Sequence, residues 1–250
     1  MFLQLHFSKF PFFTLLFFAI SGNAISAPFE IKVHDELIAD YQHSAFEIET
    51  NLYQAPASQG FKSNIFQTRL EYGYGITEKS EIGINIYLSN YNGVSYVNGG
   101  KISHLYIPTH DEEGFWHYGV KNEINYIRDV DGVETTFYEF TPILALQLKD
   151  WRFTVNPSID MTLNKNSTVT FSPSAKISYH LTHTIDIGAE YYADNLPIKG
   201  LYTVTQQPNT AYLVMDVKSG KSTFHFGVGK GVTSASDNWV VKLTAALNFN

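Results

Sequence analysis

From residue 43 onward, apolar and polar side chains alternate with a period of two. The final stretch shows it best: Trp239, Val241, Leu243, Ala245, Leu247 and Phe249 oppose Val240, Lys242, Thr244, Ala246 and Asn248. Successive side chains of a strand point to opposite faces, so one face of this segment meets hydrocarbon and the other a more polar space. In 151–163, Trp151, Phe153, Val155, Pro157, Ile159, Met161 and Leu163 oppose Arg152, Thr154, Asn156, Ser158, Asp160 and Thr162. The same alternation holds in 169–181 and 185–191, and near 44–53, 65–75, 80–89, 115–127, 135–148, 209–218 and 222–230. No stretch carries a period of 3.6, so essentially no helix is predicted in the mature chain.

Eleven strands are clear in this pattern, but a bacterial outer-membrane barrel with both termini in the periplasm needs an even number. Short turns belong on the periplasmic side and long loops on the extracellular side. The tight links at Thr77 to Ser80, Lys149-Asp150, Thr182 to Thr184 and Ser219-Gly220-Lys221 fall on one side only if a further strand lies between 90 and 115. Gly100 to Pro108, weakly alternating, supplies it. The expected fold is therefore all-β: a closed, antiparallel, membrane-embedded transmembrane barrel of about 12 strands. Longer loops are expected near 54–64, 90–99, 128–134, 164–167, 194–208 and 231–237. Pro157 and Pro173 each remove a ladder donor and predict a bulge or a local break in pairing.

The beginning of the chain differs. Lys9 precedes an apolar run from Phe10 to Ile20, and Ala24-Ile25-Ser26 satisfies the small-x-small rule for cleavage. A run of about 11 residues is too short to span a bilayer core, which takes about 20. Residues 1–26 are expected to be a signal peptide, with Pro28 favouring a cut after Ser26. Residues 27–40 are expected to form a charged periplasmic lead-in, and 41–250 the barrel. Export across the inner membrane then leads to the outer membrane of a Gram-negative bacterium. Lipid, lipopolysaccharide and the barrel-assembly machinery are the expected partners, besides a small-molecule solute.

Composition fits. Aromatic residues make up 15% of the 250 and there is no cysteine; a closed ladder needs no disulfides to hold it. The mean hydropathy of -0.12 is what polar lumen residues cancelling apolar outward ones would give. The net charge of -7 excludes a nucleic-acid partner, which requires a basic face.

With the apolar face outward, β-strand parity aims a mixed set of charges inward. They are Glu47, Glu49, Arg69, Glu71 and Glu81 early in the chain (with Gln67 and Asn85), then Lys121, Glu123, Glu139, Arg152 and Asp160. Lys176, Asp186, Glu190, Asp216, Lys218 and Lys242 complete the expected lining. Acids exceed bases. A self-neutralising filling and a narrow conducting path both fit, because a 12-strand barrel falls between filled small barrels and open porins. Trp239, Val241, Leu243, Leu247 and Phe249 resemble the C-terminal assembly signal of outer-membrane barrels, although Asn250 follows the final aromatic.

Motifs for chemistry are weak. His104, His110 and His117 lie near Asp111, Glu112 and Glu113, but their spacing matches no compact metal site. A phospholipase of barrel type would carry a His-x-Ser-Asn-Gly run, which is absent. His104 directly follows Ser103, too close for a nucleophile and base on one face. Asp129 and Asp131 have no adjoining histidine. Ser219-Gly220-Lys221-Ser222-Thr223 lacks the leading glycine and the helix of a phosphate loop. No enzyme, cofactor or metal is expected.

Two segments do carry a family resemblance. Glu71-Tyr-Gly-Tyr-Gly-Ile-Thr-Glu-Lys-Ser-Glu-Ile-Gly-Ile-Asn-Ile-Tyr-Leu88 and the unit from His225 to Lys242 resemble strand-turn-strand units of small proteobacterial outer-membrane barrels. That family is labelled as transporters of the phenol meta-cleavage pathway. Tyr179 to Tyr191 repeats the early unit. The resemblance implies a barrel that exports or takes up small molecules, aromatic or hydrophobic ones among them. The leading expectation is a narrow porin-like channel. A non-conducting barrel acting through its loops is the alternative, and a lipid-modifying or proteolytic enzyme the third.

Overall fold

The computed structural model describes residues 29–35, 37–54, 64–91, 93–109, 114–129, 132–164, 167–194, 196–197 and 207–249. The predicted signal peptide lies outside the described residues. Strands follow in chain order: β1 (Ser44–Gln54), β2 (Asn64–Thr77), β3 (Ser80–Tyr91), β4 (Val94–Tyr106), β5 (Trp116–Arg128) and β6 (Glu134–Leu148). Then come β7 (Trp151–Thr162), β8 (Val169–His180), β9 (Ile185–Ala193), the short β10 (Leu196–Pro197), β11 (Asn209–Ser219), β12 (Ser222–Gly231) and β13 (Trp239–Phe249). Each pairs antiparallel with its neighbours, and β1 pairs with both β2 and β13, from Ser44↔Phe249 to Gln54↔Trp239. The wall is thus a closed barrel of twelve strands with no free edge, and β10 merely extends the rim of β9 along β8. Among the described residues there is no α-helix.

The outer surface explains what solvent surrounds it. Ile82, Ile84 and Ile86, then Leu213, Val228 and Leu243, are all exposed on the outside. Aromatics ring both ends: Trp116, Trp151 and Phe249 at the mouth where β1 begins and β13 ends (the near mouth), and Phe66, Tyr126 and Trp239 at the far mouth. An apolar band between two aromatic girdles is the exterior of a transmembrane barrel. The residues of the C-terminal assembly pattern, Trp239, Val241, Leu243, Leu247 and Phe249, all face outward.

Two expectations change. The segment 90–99 is not a long loop: Tyr91 pairs with Val94, so a hairpin only two residues long joins β3 to β4 at an Asn-Gly dipeptide. The weak alternation after it has a cause. Partners shift from Tyr87↔Gly99 to Leu88↔Val97, a bulge that turns Asn98 inward, where it bonds Ser89 and the Arg128 carbonyl. The prolines interrupt pairing locally. The β6–β7 ladder lapses between Phe140↔Ile159 and Leu144↔Val155, around Pro157, and β8 passes from β9 to β10 at Pro173.

The second change concerns the lead-in. Its described part, 29–35 and 37–40, is not outside the wall but inside the lumen. Phe29 packs with Tyr87, Ile127 and Phe137, Ile31 and Val33 with Tyr53, Tyr192, Tyr212, Val214 and Val240, and Ile38 against Leu105, Ile107 and Ile143. These partners project from opposite sides of the barrel, so the extended segment bridges the lumen. It leaves at the near mouth, where Tyr41 bridges to Gly75 and the Gln42 amide donates to the Gly75 carbonyl at 2.8 Å. The physical reason lies in Phe29, Ile31 and Val33: three large apolar side chains alternating with Glu30, Lys32 and His34 are costly to leave in water.

Candidate functional site

A chain crossing a lumen without joining the sheet must satisfy its backbone groups some other way. Wall side chains do this. The Ile31 amide donates to Glu49 Oε1 at 2.7 Å, and Lys242 Nζ donates to the Ile31 carbonyl at 2.9 Å. Asn156 makes a two-point clamp on His34, accepting from its amide at 2.7 Å and donating to its carbonyl at 3.0 Å. Asn51 reaches the Phe29 carbonyl, and the Ala39 amide donates to Glu81 Oε2 at 2.6 Å. The wall holds the segment by five separate grips, not by a continuous ladder.

Charge reinforces them. Glu30 faces three cations: Arg69 and Lys121 at 3.5 Å each, and Lys101 in direct contact. Arg69 is fully buried and also binds Glu49 at 2.9 Å, Asn85 at 2.9 Å, and Glu47 and Glu71. Glu123 takes Lys101 at 2.7 Å and Lys121 at 2.8 Å, while Lys32 pairs with Glu47 at 2.8 Å. Burial opposes ionisation of Glu30, yet Arg69, Lys101 and Lys121 outweigh it and hold its carboxyl well below the ordinary range. Burial, with Lys121 adding to it, pushes the His34 pKa down, so its ring is neutral at pH 7.

Around the wall from this network lies a second one. Lys242 contacts Glu190 and bonds the Tyr192 hydroxyl at 3.1 Å, with its ammonium over the Tyr192 and Tyr212 rings at 5.2 and 5.0 Å. Room for it comes from two glycines. A Cβ on Gly227 would sit 2.6 Å from Lys242 Cε, and one on Gly229 would sit 2.3 Å from the Tyr212 ring. Toward the near mouth, Asp216 takes Lys176 at 2.7 Å and His225 at 2.6 Å, and Asp186 takes His180 at 2.5 Å and Lys218 at 3.6 Å. Lys218 is half exposed there, and Arg152 donates to Gln147 at 3.3 Å. On β6 and β7, Glu139 accepts from Thr141 at 2.9 Å and Asp160 from Ser172 at 2.7 Å.

Parity from the sequence left out Lys101, whose register the Asn98 bulge resets, and all of Glu30, Lys32 and His34. The alternation FEIKVH over 29–34 is the pattern that points to the latter. The remaining space is divided. A cavity of about 460 Å³ at the near mouth lies against Lys32, Val33 and His34, with Lys176, Asp216 and His225 opposite. A smaller one of about 60 Å³ lies between Glu30, Lys32 and His34 and the β6–β8 wall.

No triad assembles among the described residues. Ser103 points inward while His104 points out, and Asp129 closes its own loop by accepting from the Val133 amide at 2.8 Å. His110 to Glu113 and Asp131 lie outside the described residues, and no three His, Cys, Asp or Glu side chains of the described residues are placed to hold a metal. The turn at Gly220 joins two strands, so it is a hairpin and not a phosphate loop.

Solved structures share this fold. The chain is similar to the COG4313 outer membrane channel from Pseudomonas putida F1, with a TM-score of 0.63 and 11% identity over 88% of this chain and 100% of that one. It is similar to the KdgM porin (TM-score 0.56, 10% identity, 82% and 99% covered) and the NanC porin (0.53, 13%, 82% and 99%). The architecture is that of Gram-negative outer-membrane barrels. No protein-family model matches the chain, and no curated protein matches it either.

Proposed function

We propose that this chain is an outer-membrane channel for small solutes, and that residues 29–40 set how far its lumen is open. The observation that carries this is the inner segment itself: it bridges the lumen by individual side-chain grips and leaves open cavities on both sides of it. The fold likeness to channels and porins supports the reading. One KdgM structure is a complex with disordered oligogalacturonate, a polyanion. Here the lumen acids outnumber the bases, which disfavours polyanionic cargo. Tyr87, Phe137, Tyr192 and Tyr212 pack against Phe29, Ile31 and Val33, so release of the segment would bare an aromatic lining that suits small aromatic or hydrophobic solutes, as the family label would have it. Export through the signal peptide, contact with lipopolysaccharide and delivery by the barrel-assembly machinery belong to the same reading.

A second reading has its own support. Most inward charges are paired within 4 Å, which suits a closed barrel acting through its far-mouth loops. Conductance in a planar bilayer separates the two. The refolded barrel should give discrete openings, and deletion of residues 28–35 should enlarge them severalfold. A folded barrel that stays silent with and without the segment would end the channel reading.

A further inference from the structure

The outer wall carries two polar side chains where lipid surrounds it. On β5 the outward positions run Tyr118, Val120, Asn122, Ile124 and Tyr126, so Asn122 stands midway between the two aromatic girdles. Opposite it in register on β4 stands His104, one outward position inside Tyr106. His104 is exposed, and among the described residues no other histidine or charged side chain faces outward between the girdles. The surroundings are apolar: Ile82 and Phe140 continue the same row on either side, and Ile102 and Ile124 form the next one.

Neither side chain is satisfied within the barrel. The Tyr138 hydroxyl donates to Asn122 Oδ1 at 2.6 Å, which fixes the amide and leaves its Nδ2 hydrogens without an acceptor among the described residues. His104 makes no hydrogen bond or ion pair with any described residue. Hydrocarbon offers neither donors nor acceptors, so polar groups at this depth are costly unless a protein partner meets them. A two-fold axis along the membrane normal, passing between His104 and Asn122, sets each His104 against the partner's Asn122 at nearly the same depth. The amide donates and an imidazole nitrogen accepts, so the patch is complementary to itself, as an isologous contact requires.

We propose that the outer face of β4 and β5 is a dimer interface within the membrane, occupied by a second copy of this chain. Reciprocal hydrogen bonds from Asn122 to the partner's His104 lie at its centre, and Ile82, Ile102, Ile124 and Phe140 pack around them. The interface is independent of whether the lumen conducts.

Cross-linking in native outer membranes tests this, and the cysteine-free chain makes single-site labels specific. Ile124→Cys, beside the axis, should form a disulfide-linked dimer under mild oxidation. Leu213→Cys, outward on β11 across the barrel, should not. His104→Leu/Asn122→Leu should remain a folded, heat-modifiable barrel, since it only makes the lipid face more apolar, yet weaken dimerisation roughly tenfold in detergent sedimentation. His104→Gln keeps an acceptor and should retain most of the association. Equal cross-linking at the two cysteine sites, or a dimer indifferent to the double leucine variant, would overturn the interface. A monomer carrying a bound lipid that the double variant loses would overturn it as well, and would give the patch to a lipid headgroup.

Discussion

Lys242 is the grip whose loss is easiest to follow. Its ammonium is buried and serves three partners at once: Glu190, the Tyr192 hydroxyl and the Ile31 carbonyl. Replacing it by Met keeps most of the volume over the Tyr192 and Tyr212 rings but removes the charge. Glu190 keeps the Tyr192 hydroxyl at 2.8 Å, with Lys176 at 3.5 Å and His225 at 3.7 Å, and the Ile31 carbonyl is left without its donor. Breaking one side of a buried pair costs roughly 3–5 kcal/mol. Much of that falls on the wall, but an orphaned buried carbonyl alone costs about 1–3 kcal/mol, and this part falls on the docked segment. The barrel ladder does not depend on the segment, so the cheapest relief is undocking. At about 1.4 kcal/mol per decade, the docked fraction should fall by roughly 5-fold to 150-fold relative to the undocked.

The chain contains no cysteine, which makes the assay clean. Val33→Cys places a thiol in the apolar cluster beside Val240 and Tyr212. Its reaction with a water-soluble maleimide reports undocking. In the Lys242→Met background the labelling rate should rise within that range, while heat-modifiable migration stays that of a folded barrel. Equal labelling rates in the two backgrounds would refute the idea that Lys242 holds the segment.

Three further outcomes follow from the same geometry. Leu243→Arg places a charge on the lipid face near the middle of β13 and should cost roughly 2–4 kcal/mol, read from urea unfolding in lipid vesicles; an unchanged midpoint would reverse the facing assigned to β13. Gly99 has a φ of +130, and a Cβ there would lie 2.0 Å from the Tyr126 carbonyl oxygen, so Gly99→Ala should destabilise by at least about 2 kcal/mol in the same assay. Docking should weaken below about pH 6.5: burial and Lys121 lower the His34 pKa in the docked state, so the undocked state binds the proton more readily as pH falls. The depressed Glu30 carboxyl acts in the same direction only in stronger acid. Val33→Cys labelling against pH checks this, and His34→Gln should flatten the profile between pH 7 and 5.

The barrel was legible because its physics is local. Each strand separates two solvents, and a period of two is the direct imprint of that separation, so β5, β7, β12 and β13 can be read residue by residue. Legibility failed where a side chain answers to a third environment. Leu105 and Ile107 are apolar yet face inward, because Ile38 lies opposite them; from sequence they blur the alternation of β4, which the Asn98 bulge has already shifted. Tyr87, Tyr192 and Tyr212 face inward for the same reason. Their partners are dozens of residues away, in a segment whose own alternation, Phe29, Ile31 and Val33 against Glu30, Lys32 and His34, is too short to stand as a strand of the wall. An apolar residue on the polar face of a barrel strand is therefore informative: it marks something inside for that residue to touch. Read that way, inward Tyr87 of β3, Leu105 of β4, Ile127 of β5, Tyr192 of β9 and Tyr212 of β11 require an occupant of the lumen, and among the described residues 29–35 and 37–40 supply it.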